Sequence, residues 1–324
     1  MSHRQSIFIH ELNGEGGITP IPINSIPETP TNPIWIHLDR GWEESQQWLE
    51  KSNLDDFIIE ALSAEGVRPR CQAHNNGLLV VLRGVNLNPE SDPDDMVSIR
   101  AWIEENRIIT VRQRRIMALT DIQERLKKNE GPCNTGEFLT QLVEGLSDKM
   151  VNIVDSLDNT VDDLEECVLE QPKKLISNQI SETRRQIIRL RRHMAPQREV
   201  LIKLQNEKVT WLNEENRLDM RETAESMTRY VEDLDSAKER AAIIQDSLEN
   251  RSSAQMNRTM YLLSIITAVF LPLGFITGLL GINVGGIPGT ENPKAFTLVC
   301  GALFCLFCVQ IIMIYLIYRQ NKGK

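Results

Sequence analysis

A step of seven along the last third of the chain picks out Glu225, Glu232, Glu239 and Asp246, then passes through Ser253, Met260, Thr267, Gly274 and Gly281. On a helix this repeat keeps one face toward a partner only if the helix supercoils or bends, because a straight helix drifts by roughly 20° per heptad. The chemistry on offer is electrostatic. Carboxylates repeated along one line attract cations, and the Thr/Gly section can line a narrow passage or let helices pack closely. The plainer reading of the acids is a solvated helix face laced by neighbours such as Lys238 and Arg240.

Other chemistry has less support. His3, His10, His37, His74 and His193 show no paired helical spacing. Cys305 and Cys308 are a CxxC with no second pair or histidine at ligand spacing, so they read as small buried hydrophobes. Acids between Asn88 and Asp95 could hold a cation, although Asp and Asn suit an ordinary solvated turn. No Ser/His/Asp order or phosphate-cradling glycine loop stands out, so neither an enzyme nor a resident cofactor is expected.

The stripe needs a long helix. Gln197 to Leu271 contains neither Gly nor Pro. An Asn-rich turn over Asn213 to Asn216 splits this stretch, so the second helix starts near Leu218 and continues into apolar sequence. From Thr259 to Thr290, and again from Ala295 to Tyr318, no side chain is charged. Each run exceeds the roughly 20 residues a helix needs to cross a bilayer. The rest is acidic: 36 Lys+Arg stand against 45 Asp+Glu, a net charge of -9, which argues against a nucleic-acid partner. Arg251 and Arg258 precede the first run, Arg319, Lys322 and Lys324 follow the second, and Glu291 and Lys294 cancel in between. By the positive-inside rule both termini are cytoplasmic and the loop faces out, as in a multi-pass protein of a bacterial inner membrane. Met1 to His10 holds no run apolar enough for a secretory signal.

Upstream, alternating or β-branched runs at Ser6 to His10, Ile34 to Leu38, Leu78 to Leu87, Met96 to Glu104 and Arg107 to Arg112 predict strands. Glu43 to Lys51 and Leu54 to Glu65 have helical spacing, with Asp55 placed to cap the second. After Gly145 long helices follow, with Pro172 and Pro196 as breakers. The expected class is an α+β membrane protein: a cytoplasmic α/β domain (1–135), a helical segment (136–216), the cytoplasmic part of a stalk helix (217–258), a pore-lining span (259–283), an outer loop (284–294), a second span (295–318) and a tail (319–324). Two spans cannot enclose a pore, so a channel needs a closed ring of subunits. The competing reading is a membrane-anchored helical scaffold or sensor.

The first span ends Phe270-Leu271-Pro272-Leu273-Gly274-Phe275-Ile276-Thr277-Gly278-Leu279-Leu280-Gly281-Ile282-Asn283, followed by Val284-Gly285-Gly286-Ile287-Pro288-Gly289. This resembles the CorA family of divalent-cation transporters, in which Phe-x-Pro-Leu-x-Phe-x-x-Gly leads to Gly-Met-Asn or a related tripeptide. The Gly-Ile-Asn form and its loop look like the family's zinc-transporting branch more than its magnesium transporters. Ser253 to Met260 is similar to the family's approach to the membrane, and Arg68-Pro69-Arg70 to its soluble domain. The resemblance implies a homopentamer with a cytoplasmic funnel, embedded in membrane lipid. Its selectivity filter would be Gly281, Ile282 and Asn283, and Met260, Leu263, Thr267, Leu271 and Gly274 would line and gate the pore. Asp246 would be a metal- or gate-related acid at the cytoplasmic end. Asn283 would hold the ion through its water shell, since a neutral carbonyl oxygen accepts hydrogen bonds from hydrating water. Its plainer role is a helix C-cap beside glycine.

Zinc favours His nitrogen and Cys sulfur, and the first span contains neither. A zinc ion would therefore cross largely hydrated. The span also lacks the Asp, Glu or His of a proton relay, so any proton coupling falls to Asp246, Glu249, Glu291 or the water shell. A Mg²⁺, Co²⁺ or Ni²⁺ channel of the magnesium branch is the alternative within the family.

Overall fold

The structure, a computed structural model, describes residues 7–27, 30–92, 94–170, 174–282 and 292–321. Asn283 and Glu291 lie outside the described residues. The chain divides into two compact units at Gln245/Asp246.

The first unit is built on a seven-stranded sheet: β1 (Ile7–Leu12), β2 (Ile18–Pro20), β3 (Ile34–Asp39), β4 (Arg70–His74), β5 (Gly77–Gly84), β6 (Val97–Glu104) and β7 (Arg107–Arg112). Their spatial order is β2-β1-β3-β7-β6-β5-β4, with β3 and β7 parallel and every other pair antiparallel. β1, β3, β5, β6 and β7 fall on the expected runs. β2 is only three residues long and β4 reads RCQAH, so neither carries an apolar alternation. The run predicted to reach Leu87 leaves the ladder at Gly84. The β4–β5 connection is Asn75-Asn76, both at positive φ (45° and 64°), as a tight two-residue hairpin demands.

Helices α1 (Glu43–Lys51) and α2 (Asp56–Ser63) cover one face. There Ile36, Leu38, Leu49, Ile58, Leu62, Leu79, Trp102 and Val111 form a common core. Asp55 does sit at the N-cap of α2, but its side chain makes no cap bond. Its carboxylate meets His74 Nε2 at 2.5 Å instead. On the opposite face Trp35 packs edge-on against Phe138 at 5.0 Å, and its indole N–H donates to Thr110 Oγ1 at 2.8 Å.

Three further helices belong to this unit: α3 (Met117–Lys127), α4 (Thr135–Glu170) and α5 (Lys174–Leu204). The predicted breaker Pro196 lies inside α5. An interior proline costs about 3 kcal/mol, yet buried Met194, Gln197, Val200 and Leu201 hold the helix on both sides of it. Gln197 bonds β5 twice, accepting from the Arg83 N–H at 2.6 Å and donating to the Arg83 carbonyl at 3.0 Å. Burial and tertiary hydrogen bonds therefore override the local preference.

Helix α6 (Glu214–Leu280) crosses the division between the units, and α7 (Ala295–Asn321) belongs to the second. The apolar part of α6, and Ala295–Leu316 of α7, are long and apolar enough to cross a membrane. The expected α/β domain, long helices and apolar hairpin are therefore all present.

Candidate ion path

Helix α6 begins at Glu214, four residues before the expected start. Asn213 is the reason: its Oδ1 accepts the Asn216 N–H at 2.8 Å, so the Asn-rich turn caps the helix. The break before it runs from Gln205 to Asn213 and is anchored. Arg217 donates to the carbonyls of Gln205 (3.1 Å), Glu207 and Val209 (3.4 Å), occupying oxygens left free after α5 ends. Asn76 of the hairpin donates to Thr210 Oγ1 at 2.9 Å and accepts the Trp211 indole N–H through its carbonyl at 2.9 Å. The start of α6 is thus fixed to the sheet.

Two heptad lines share this helix. Met220, Met227, Leu234 and Ala241 are fully buried. Glu225, Glu232, Glu239 and Asp246, five positions out of phase, are all exposed. At 3.6 residues per turn the two lines are about 140° apart, so the buried line fixes which way the acids face. Their expected lacing by Lys238 and Arg240 does not form. Lys238 pairs with Asp235 at 3.1 Å, while Arg240 reaches α4, bridging Asp158 and Asp162. Asp235 also holds Arg191 of α5 at 2.5 Å, which together with Lys238 draws its carboxyl below the usual carboxylate range. Among the described residues only Glu225 of the four has an ion pair, with Arg221 at 3.2 Å. Lys238 and Arg240 are thus turned away from the acid line, and Glu232, Glu239 and Asp246 keep their charge exposed.

Sequence reasoning missed a second acidic feature. Glu144 and Asp148 of α4 and Asp219 and Glu222 of α6 line a cavity of about 240 Å³. Burial first, then Asp219 and Asp148, push the Glu144 carboxyl above its usual range. Two acids of the Asn88 to Asp95 turn are committed to arginines: Asp94 pairs with Arg189 and Asp95 with Arg114. The described residues contain no cluster of three or more His, Cys, Asp or Glu able to hold a metal ion.

In the apolar part of α6, Met260, Leu263 and Leu271 are exposed by 60%, 64% and 65% in the single chain. Thr267 is exposed too, and its hydroxyl proton is engaged by the Leu263 carbonyl at 2.9 Å, leaving lone pairs outward. A β-carbon on Gly274 or Gly278 would meet no atom within 4 Å. Gly281 closes the helix, its N–H shared between the carbonyls of Thr277 (2.9 Å) and Gly278 (3.2 Å), and Ile282 follows it exposed.

Pro272 lies inside this section and has no N–H to give the Ala268 carbonyl four residues back. That oxygen receives the Gln310 side-chain amide of α7 at 3.4 Å. Gln310 escaped the sequence reading because it is uncharged within an uncharged run. The signal was present as a proline in one span and a lone amide in the other.

The family model for a CorA-like Mg²⁺ transporter protein matches residues 31–319. The chain belongs to the CorA family. The resemblance carried by Phe270 to Asn283 is borne out at that level, as is the fold class. This CorA-family chain is 35% identical over 309 residues to the zinc transport protein ZntB of Yersinia enterocolitica, covering 95% of this chain and 92% of the relative. It is 39% identical over 303 residues to the divalent cation transporter CmaX of Pseudomonas aeruginosa, covering 92% and 91%. The solved structure of full-length CmaX superposes with a TM-score of 0.83 at 35% identity, over 99% of this chain and 100% of that one.

Proposed function

We propose that the chain is one subunit of a homopentameric transporter that carries Zn²⁺ across a bacterial inner membrane, with both termini cytoplasmic. The observation that carries this reading is the division of labour on α6. Lys238 pairs with Asp235 of its own helix and Arg240 is engaged by α4, so the line Glu225, Glu232, Glu239 and Asp246 stays exposed, with only Glu225 paired among the described residues, to Arg221. Repeated around a symmetry axis, those carboxylates concentrate cations at the entrance. Beyond them Met260, Leu263 and Leu271 form apolar constrictions that gate by dewetting. Thr267 contributes outward lone pairs, Gly274 leaves room for close approach, and Asn283 after Gly281 and Ile282 selects a hydrated ion.

Zinc as the substrate rests on similarity to ZntB, and transport of a divalent cation also on similarity to CmaX. The ion is cargo, and no step requires a resident cofactor. Because the membrane section of α6 has no carboxylate, histidine or cysteine, the ion keeps most of its water. Coupling to protons, where it operates, runs through Asp246, Glu249, Glu291 or that water shell.

The test is reconstitution of the full chain into vesicles loaded with a zinc-sensitive dye, repeated with Mg²⁺, Co²⁺ and Ni²⁺. Zinc flux that collapses or loses selectivity in Asn283→Ala supports the assignment. Robust Mg²⁺ flux without zinc flux moves the chain to the magnesium branch, and no flux of any divalent ion favours the scaffold. Zinc uptake indifferent to an imposed pH gradient identifies a plain channel.

A further inference from the structure

One end of the sheet face beneath α1 and α2 is crowded with arginine. Val81 of β5 lies directly opposite Arg70 of β4 and opposite Arg100 of β6. Arg83 is two residues along β5, and Arg40 extends β3 in step with Leu38, its N–H still bonded to the Arg112 carbonyl at 2.8 Å. Residues directly opposite, or two apart on a strand, share a face, so four guanidinium groups converge where α2 ends. Arg40 Nη1 and Arg100 Nη2 donate to the same Ala64 carbonyl at 3.0 and 2.6 Å. Arg83 donates to the carbonyls of Val67 at 2.9 Å and Met96 at 3.0 Å.

These backbone oxygens orient the groups without neutralising them. Arg100 is 1% exposed, and the Nε atoms of Arg70, Arg83 and Arg100 are buried with no acceptor. Burial foremost, then the charges of Arg40 and Arg83, lower Arg100 to about 10, so it remains cationic at neutral pH. The carboxylates acting on the cluster are Glu65 and Asp95. Each already has an arginine: Glu65 pairs with Arg40 from an exposed position, and Asp95 with Arg114. Among the described residues no hydrogen bond or ion pair engages the side chain of Arg70. A buried cation without a carboxylate bonded to it is costly, yet Arg100 is built into a sheet of an otherwise acidic protein, with half-buried Arg70 beside it.

We propose that Arg40, Arg70, Arg83 and Arg100 form a binding site for a phosphate-class oxyanion, either free phosphate or the phosphate group of a nucleotide. The planar guanidinium fork matches the oxygens of such an anion, and several converging forks give the charge and geometry to hold it. The exposed guanidinium groups of Arg68 and Arg192, which with Arg83 act electrostatically on His193, extend the positive field outward. The site stands on the α/β domain and requires no assumption about zinc.

The experiment is calorimetric titration of the full chain in detergent, at fixed ionic strength and without divalent ions, with inorganic phosphate in one arm and ATP in the other. The expected result is saturable binding in at least one arm. Saturation in the phosphate arm identifies free phosphate as sufficient, and saturation by ATP alone identifies a nucleotide. Arg70→Gln removes a charge that makes no other side-chain bond and should weaken binding about ten- to a hundredfold, the loss expected of one charged hydrogen bond. Arg70→Lys retains the charge and should fall between wild type and Arg70→Gln. Melting curves of both variants, superimposable on wild type in anion-free buffer, separate lost binding from lost folding. No saturable heat in either arm, or equal affinity in wild type and a folded Arg70→Gln, overturns the site.

Discussion

Replacing Gln310 by leucine should loosen the membrane hairpin, and by an amount that depends on Pro272. Pro272 removes the N–H that would have bonded the Ala268 carbonyl, and Gln310 supplies the substitute donor from α7. The contact measures 3.4 Å, longer than the roughly 2.7–3.2 Å of a well-made N–H···O bond. Its worth therefore belongs near the membrane average of about 0.6 kcal/mol rather than the maximum of about 1.7. Gln310→Leu should cost about 0.6–1 kcal/mol in the wild-type background, including the unsatisfied oxygen it leaves. In Pro272→Ala, residue 272 regains its N–H and Ala268 its helical partner, so the same substitution should cost close to nothing. The four proteins form a double-mutant cycle with a coupling energy of about 0.6–1 kcal/mol. Detergent–SDS titration of the purified chain, read by a fluorophore pair on α6 and α7, measures each corner. Equal costs of Gln310→Leu in both backgrounds, within about 0.3 kcal/mol, would refute the pairing of this amide with this carbonyl.

Arg240→Ala should weaken the hold of α4 on α6 by about 1 kcal/mol or less, because Asp158 and Asp162 are partly exposed, and the loss should shrink at high salt; chemical denaturation at two ionic strengths checks both. Buried His37 is held well below 6.5, by desolvation first and Arg112 second. The unfolded chain therefore takes up a proton that the folded one refuses. Stability contributed by the neutral ring is present above pH 6.5 and declines as pH falls below it, by up to about 1.4 kcal/mol per pH unit from this group. His10 and His193 are shifted the same way, so denaturation midpoints between pH 7 and 5 should fall less steeply in His37→Gln without becoming flat. Replacing Glu232 and Glu239 together by glutamine should slow zinc entry several-fold at low ionic strength and by less at high, because the field they add is screened by salt; stopped-flow dye quenching at two salt concentrations reads the difference.

What could be read before folding was whatever repeats. The strands β3, β6 and β7 and helix α1 carry clear apolar periods, and the two uncharged runs announce the hairpin. β4 was invisible because Arg70, Gln72 and His74 are polar, and one of them belongs to the arginine cluster rather than to an apolar face. Pro196 misled because its cost is local whereas its compensation, Gln197 against β5, lies 114 residues away in sequence. The acid line was legible as a heptad, but whether it was neutralised was not. Lys238 and Arg240 are near enough in sequence to serve it, and only the placement of α4 shows that Arg240 turns away. The tripeptide Gly281-Ile282-Asn283 was legible as a motif, and the structure describes its first two residues.

The borders of the sheet bear on how the first unit avoids pairing with other chains. An open strand edge invites pairing with another chain. Here one border, β2, is three residues long and ends in Pro20, which has no N–H to offer. The other, β4, has its Cys71 carbonyl occupied by the Lys203 ammonium at 2.8 Å. Both borders of the sheet are therefore blunted as templates for pairing with another chain, one by its shortness and proline, the other by an engaged carbonyl.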